Sequence, residues 1–234
     1  LDALTSVATF VSDAKVLDLS ALASQKAVGG AMAGGIILSE VTNFNAPKLD
    51  ISNVVSIVKA TDITISDIST STTPKGAPPI YALAAKNMTI SALSAVNTLS
   101  FDQSATVFPA LVTLSVTGKA ATSSPYINTQ TNKVSITSNV LTSLTTAGTL
   151  DKVNLHNAAK LTSLSTSGYI RDFSLLGAAL ITSAEIGHDH IEGSDAATFR
   201  ISDAAKLTTV APTSLDEVGT VTLIGLPKMT SLNL

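Results

Sequence analysis

The chain contains no cysteine and no tryptophan. Without cysteine there are no disulfides, thiol nucleophiles or thiolate metal sites. Charge is scarce: Asp, Glu, Lys and Arg make up 13% of the residues, about half the usual share. The 14 basic residues are scattered, arginine occurs only at Arg171 and Arg200, and the net charge is -3. Nucleic-acid binding needs clustered basic side chains to displace counterions, so no nucleic-acid partner is expected. Long apolar runs are missing too. The stretch Ala27 to Leu38 (AVGGAMAGGIIL) is too short and too glycine-rich to span a bilayer. No basic segment precedes it, so it does not read as a signal peptide. No membrane span is expected in this segment.

What is present fills these gaps in one direction. A hydrophobic fraction of 45% is too high for a disordered chain. The surface must be covered largely by Ser, Thr and Asn, and threonine packs well on a pleated surface. A cysteine-free, hydroxyl-rich chain fits a bacterial or viral exterior, where eukaryotic repeat domains would carry disulfides. An extracellular or cell-surface location is therefore expected.

The segments VNLHNAAKLTSL, FSLLGAALITSA, FRISDAAKLTTV and VTLIGLPKMTSL repeat one frame. Two apolar residues flank any residue, five spacers follow, and a third apolar residue closes the unit. Val153/Leu155/Leu161, Phe173/Leu175/Ile181, Phe199/Ile201/Leu207 and Val221/Leu223/Met229 fit it, as does Met88/Ile90/Val96. Val134/Ile136/Leu141 fits with one spacer fewer, and Ile36/Leu38/Phe44 and Leu49/Ile51/Ile57 match more loosely. The later copies start at 134, 153, 173, 199 and 221. Period-2 alternation marks strands, and the spacers are turn-compatible. Such short strands bury a face only when copies stack. The expected fold class is all-β: a right-handed parallel β-solenoid with L-domain-like or leucine-rich-like coils of about 20–26 residues.

Three of these units, Lys160-Leu-Thr-Ser-Leu164, Lys206-Leu-Thr-Thr-Val210 and Lys228-Met-Thr-Ser-Leu-Asn-Leu234, carry a resemblance. With the preceding strand and small turn they resemble bacterial leucine-rich-like, receptor L-domain-like repeats, as in surface proteins of Bacteroidota-type bacteria. Leu111, Leu114 and Val116 also follow the strand core of leucine-rich repeats. The usual following Asn is absent, and no helical segment fills the back of each coil. The resemblance implies a solenoid displayed outside the cell, adhesive or structural, with no catalytic residues to carry over.

Residues 1–35 read as an N-terminal coil or cap, and 36–234 as the repeat domain with loop insertions at 69–81, 117–132 and 187–197. Prolines at 74, 78 and 79 put the first insertion outside a ladder. Loops of this kind often carry binding residues. Thr230-Ser-Leu-Asn-Leu234 stops inside a repeat. An open apolar end of this kind calls for protein–protein contact. The expectation is end-on self-association or continuation into a longer chain.

The strongest metal candidate is His188, His190 and Glu192. On an extended strand these three share one face, and two imidazoles with a carboxylate suit Zn²⁺. Asp189, Glu192 and Asp195 offer oxygen ligands for Ca²⁺ instead. The competing reading is a solvated polar loop, and no cofactor is expected elsewhere. β-Helix enzymes acting on polysaccharides need convergent carboxylates. Asp62/Asp67 and Asp216/Glu217 both point to opposite strand faces. GxSxG is missing, so no enzyme is expected. Thr142, Thr162, Thr182, Thr208 and Thr230 recur once per copy. They form TS or TT pairs and lack the Thr-x-Thr spacing of ice-binding solenoids, which favours a plain solvent-facing ladder. Asn87-Met-Thr89 is a glycosylation sequon, relevant only in a glycosylating host.

The function these features suggest is an extracellular structural or adhesive repeat module of a bacterial surface protein, filament or appendage. The alternative is a recognition module that binds a glycan, a protein or an ice surface through solenoid-edge loops. A polysaccharide-active β-helix enzyme and a viral fibre protein stand behind these two.

Overall fold

The computed structural model describes residues 6–7, 10–12, 19, 24–25, 35–51, 54–68, 80–81, 84–93, 98–102, 110–118, 132–186, 198–212 and 219–232. Among them there are strands and turns but no helix, and every strand pairing is parallel. The chain is a parallel β-solenoid.

Each coil contributes one strand to each of two facing walls. The front wall stacks, among others, Asn43–Ile51, Asp62–Ile68, Asn87–Leu93, Thr113–Gly118, Ser163–Thr166, Ser183–Ile186, Thr209–Pro212 and Ser231–Leu232. The back wall begins with Phe10–Ser12, Gly35–Leu38, Val54–Ile57 and Ile80–Tyr81. It resumes with Thr98–Asp102, Lys133–Thr137, Tyr169–Leu176, Thr198–Ser202 and Thr220–Ile224. The strand Ser143–His156 runs through both walls, turning the corner at Gly148.

The repeat frame sets the register. Val134 pairs with Val153, Val153 with Phe173, Phe173 with Phe199, and Phe199 with Val221. Ile136, Leu155, Leu175, Ile201 and Leu223 form the parallel row two residues on. These rows point inward and are buried up to the coil of Phe199. The rings of Phe173 and Phe199 stack with centroids 5.6 Å apart. Each buried side chain of this size contributes on the order of 1.5–3 kcal/mol.

Met88 and Ile90 share the frame of Val134 and Ile136, yet they lie in the opposite wall. They pair with Ile63/Ile65 on one side and Leu114/Val116 on the other. Alternation is the same in both walls, so the frame alone cannot tell them apart.

Two turn chemistries connect the walls. From back to front, the later coils turn on Asn157, Gly177, Asp203 and Gly225, with φ of 53°, 70°, 57° and 68°. Only Gly, Asn and Asp enter that region at little cost. An inward Ala158, Ala178 or Ala204 follows in the first three coils and seals the corner. From front to back, Gly118 and Gly148 are register partners, and Gly168 stacks on Gly148. A Cβ on Gly148 or Gly168 would strike the carbonyl oxygen of the glycine below it.

The insertions at 69–81, 117–132 and 187–197 each fall between a front-wall strand and the next back-wall strand. Their ends belong to the sheets: Ile80–Tyr81 is a back-wall strand and Thr117–Gly118 completes a front-wall strand. Asn132 is buried, accepts the N–H of Asp151 at 2.8 Å and donates to the carbonyl of Thr149 at 2.8 Å.

Candidate binding face

The inward ladders fix what the front wall shows to solvent. Leu114, Val116, Leu144 and Leu164 point into the core, so the residues between them point out. The first outward row is Thr113, Ser143, Ser163, Ser183, Thr209 and Ser231. The second, two residues on, is Ser115, Thr145, Ser165, Glu185 and Ala211. Earlier coils continue both rows with Asn43, Asp62 and Asn87, and with Asn45, Thr64 and Thr89. Only Asp62 and Glu185 in these rows are charged, and none of the side chains is aromatic.

Neighbours hydrogen-bond one of the two charges and hold it ionised. The Asp62 carboxylate accepts the Thr61 hydroxyl and the Asn87 amide, each at 2.7 Å. These bonds hold its pKa below the ordinary carboxylate value.

The threonine column noticed in the sequence sits just before these rows. The hydroxyls of Thr162, Thr208 and Thr230 donate to the carbonyls of Thr142, Thr182 and Thr208, at 3.2, 2.9 and 3.1 Å. The backbone N–H groups of the same three residues reach the same carbonyls at 2.9 Å. This column ties one coil to the next. The freely presented hydroxyls lie one and three residues later, as Ser143-x-Thr145 and Ser163-x-Ser165. Reading the x-spacing from the serine instead of the threonine would have found them.

The back wall is different. Its outward positions include Lys133, Lys152, Asp172 and Arg200. Arg171 bridges Asp151 and Asp172, and Lys152 pairs with Asp172 at 3.4 Å. Asp172 also accepts the N–H of Thr198 at 3.1 Å, where the 187–197 insertion returns to the sheet.

His188, His190 and Glu192, with the Ca²⁺ alternative at 188–195, lie outside the described residues. Among the described residues no three His, Asp or Glu side chains gather around a common point. No helix there is long and apolar enough to cross a membrane. At the C-terminal end of the described stack, Val221 is 41% and Ile224 57% exposed. No protein-family model, curated protein or solved structure matches the chain.

Proposed function

We propose that this chain is an extracellular adhesive repeat module of a bacterial surface protein, and that the front wall is its contact surface. One observation carries the reading. The two outward rows keep register over successive coils and present small, nearly uncharged polar groups. A solenoid wall of this kind serves contact with an extended surface better than it serves chemistry, because among the described residues no acid, base and nucleophile converge on it. The resemblance of the LTSL units to leucine-rich-like repeats of Bacteroidota-type surface proteins supports the exterior setting, as does the absence of cysteine. A purely structural role in a filament or appendage leaves the front wall without a task. The recognition alternative places its ligand on the solenoid-edge loops, which lie largely outside the described residues.

Beads coated with the full chain provide the test. Their retention is scored on crystalline chitin, crystalline cellulose, ice and chain-coated glass. Retention on at least one surface is expected, with loss in a front-wall variant such as Ser163→Tyr. Wild-type beads that adhere to none of these surfaces overturn the reading.

A further inference from the structure

We infer that the front wall from Thr113 to Ser231 binds ice; this rests on the adhesive reading and names the surface. Its outward groups form a two-dimensional lattice. Along the solenoid axis Thr113, Ser143 and Ser163 follow one another coil by coil, as do Ser183, Thr209 and Ser231, about 4.8 Å apart. Along each strand the next outward group, Ser115, Thr145 or Ser165, stands roughly 6.6 Å away. Only a partner with repeats of similar size in both directions meets every coil alike. The oxygen rows of hexagonal ice have such repeats.

The chemistry of the rows narrows the choice. Hydroxyls both donate and accept, as lattice water does. Ionic groups, which hold their own hydration shells, are nearly absent. Protein-binding patches concentrate Tyr, Trp, Arg and Met, and none occurs in these rows. Sugar platforms rely on exposed aromatic faces, which are missing as well. The lattice is also rigid before contact. Backbone and hydroxyl bonds lock Thr162 to Thr142, Thr208 to Thr182 and Thr230 to Thr208 across adjacent coils. Short Ser and Thr side chains lose little rotamer freedom on docking. Glu185 and Ala211 interrupt the second row, while Ser183, Thr209 and Ser231 carry the first row past them.

The experiment partitions the full chain between slowly grown polycrystalline ice and the remaining liquid, and follows the habit of single crystals near the melting point. Wild type should enter the ice and facet the crystals. Ser163→Tyr and Thr145→Tyr should stay in the liquid, their ice fraction down about tenfold or more. His156→Tyr, an exposed back-wall site, should behave as wild type. Circular dichroism confirms folding, and if one front-wall variant unfolds the other decides. Wild type left in the liquid overturns the inference, as does equal loss in His156→Tyr. If wild type avoids ice yet its beads still adhere to chitin or cellulose, ice falls and the adhesive reading stands. If the beads adhere to nothing, both fall.

Discussion

Arg171 Nη2 lies 2.9 Å from Asp151 Oδ1, and the Asp151 side chain is only 2% exposed. The pair links two consecutive coils, between the register partners Leu150/Ile170 and Lys152/Asp172. Burial pushes the Asp151 carboxyl above its ordinary pKa, and Arg171 pulls in the other direction. The guanidinium is thus what keeps a charge tolerable at that depth.

Arg171→Ala should therefore destabilise the protein in a pH-dependent way. The folded pKa of Asp151 is raised, so its protonated form favours the fold. That contribution is fully present below the unfolded value of 3.8 and is lost as pH rises through the folded pKa. Without Arg171 the charged form loses its nearest counter-charge and keeps only the weaker pull of Lys133 and Lys152, at a cost of about 3 kcal/mol near pH 7. Urea titrations should show a gap between wild type and variant that narrows on acidification towards pH 4. A gap independent of pH would mean that Arg171 acts through packing alone. Asp151→Asn, which removes the buried charge, should cost much less than Arg171→Ala.

The repeat frame makes the back wall legible in the sequence from residue 134 onward. The starts at 134, 153, 173, 199 and 221 are themselves the register partners. It misplaced Met88 and Ile90 because alternation looks identical in both walls, and the turns that separate the walls vary in length. Leu38, Val41 and Phe44 close a corner three residues shorter than the one from Leu155 to Leu164. The outward rows of the front wall are less legible for a related reason. Thr162 stands out in the sequence, but its hydroxyl is spent on the coil below, and the presented groups follow at Ser163 and Ser165. Asn157 faces out, yet its φ of 53° restricts what replaces it.

Leu164→Asp should unfold at least its own coil, while Lys160→Ala should be nearly neutral. Leu164 is 5% exposed in the row of Leu144, whereas Lys160 is exposed on the turn. A carboxylate at the Leu164 position has no partner, a cost of several kcal/mol. Thermal unfolding followed by far-ultraviolet dichroism measures both. Equal effects would contradict the ladder.

Gly148→Ala should be among the most damaging single-methyl changes in the chain. The added Cβ meets the carbonyl oxygen of Gly118, and the φ of 71° disfavours any L side chain. Left-handed strain alone costs about 1–2 kcal/mol, and the clash forces two coils apart. Gly177→Ala shares the strain, with φ 70°, but its Cβ has room at 3.5 Å from Asn157 Cα. Its melting temperature should fall less than that of Gly148→Ala. The reverse order would show that corner stacking is unimportant.

Asn157→Gly should leave stability within about 0.5 kcal/mol of wild type, and Asn157→Val should cost about 1–2 kcal/mol. Asn157, Gly177, Asp203 and Gly225 occupy equivalent turns with positive φ, and the residue types at all four suit that region. A β-branched side chain there is a true outlier. The side chain at 157 is exposed, so Val loses no packing and meets no desolvation penalty, and the backbone dihedral is the only term left. Asp203→Val is a less clean probe, because Asp203 Oδ1 lies close to Gly225 and its removal changes a neighbouring coil as well. Chemical denaturation of the two Asn157 variants isolates the dihedral cost. Equal midpoints for Gly and Val would show that the turn relaxes out of the left-handed region, and that the Asn/Gly/Asp/Gly column does not determine the corner.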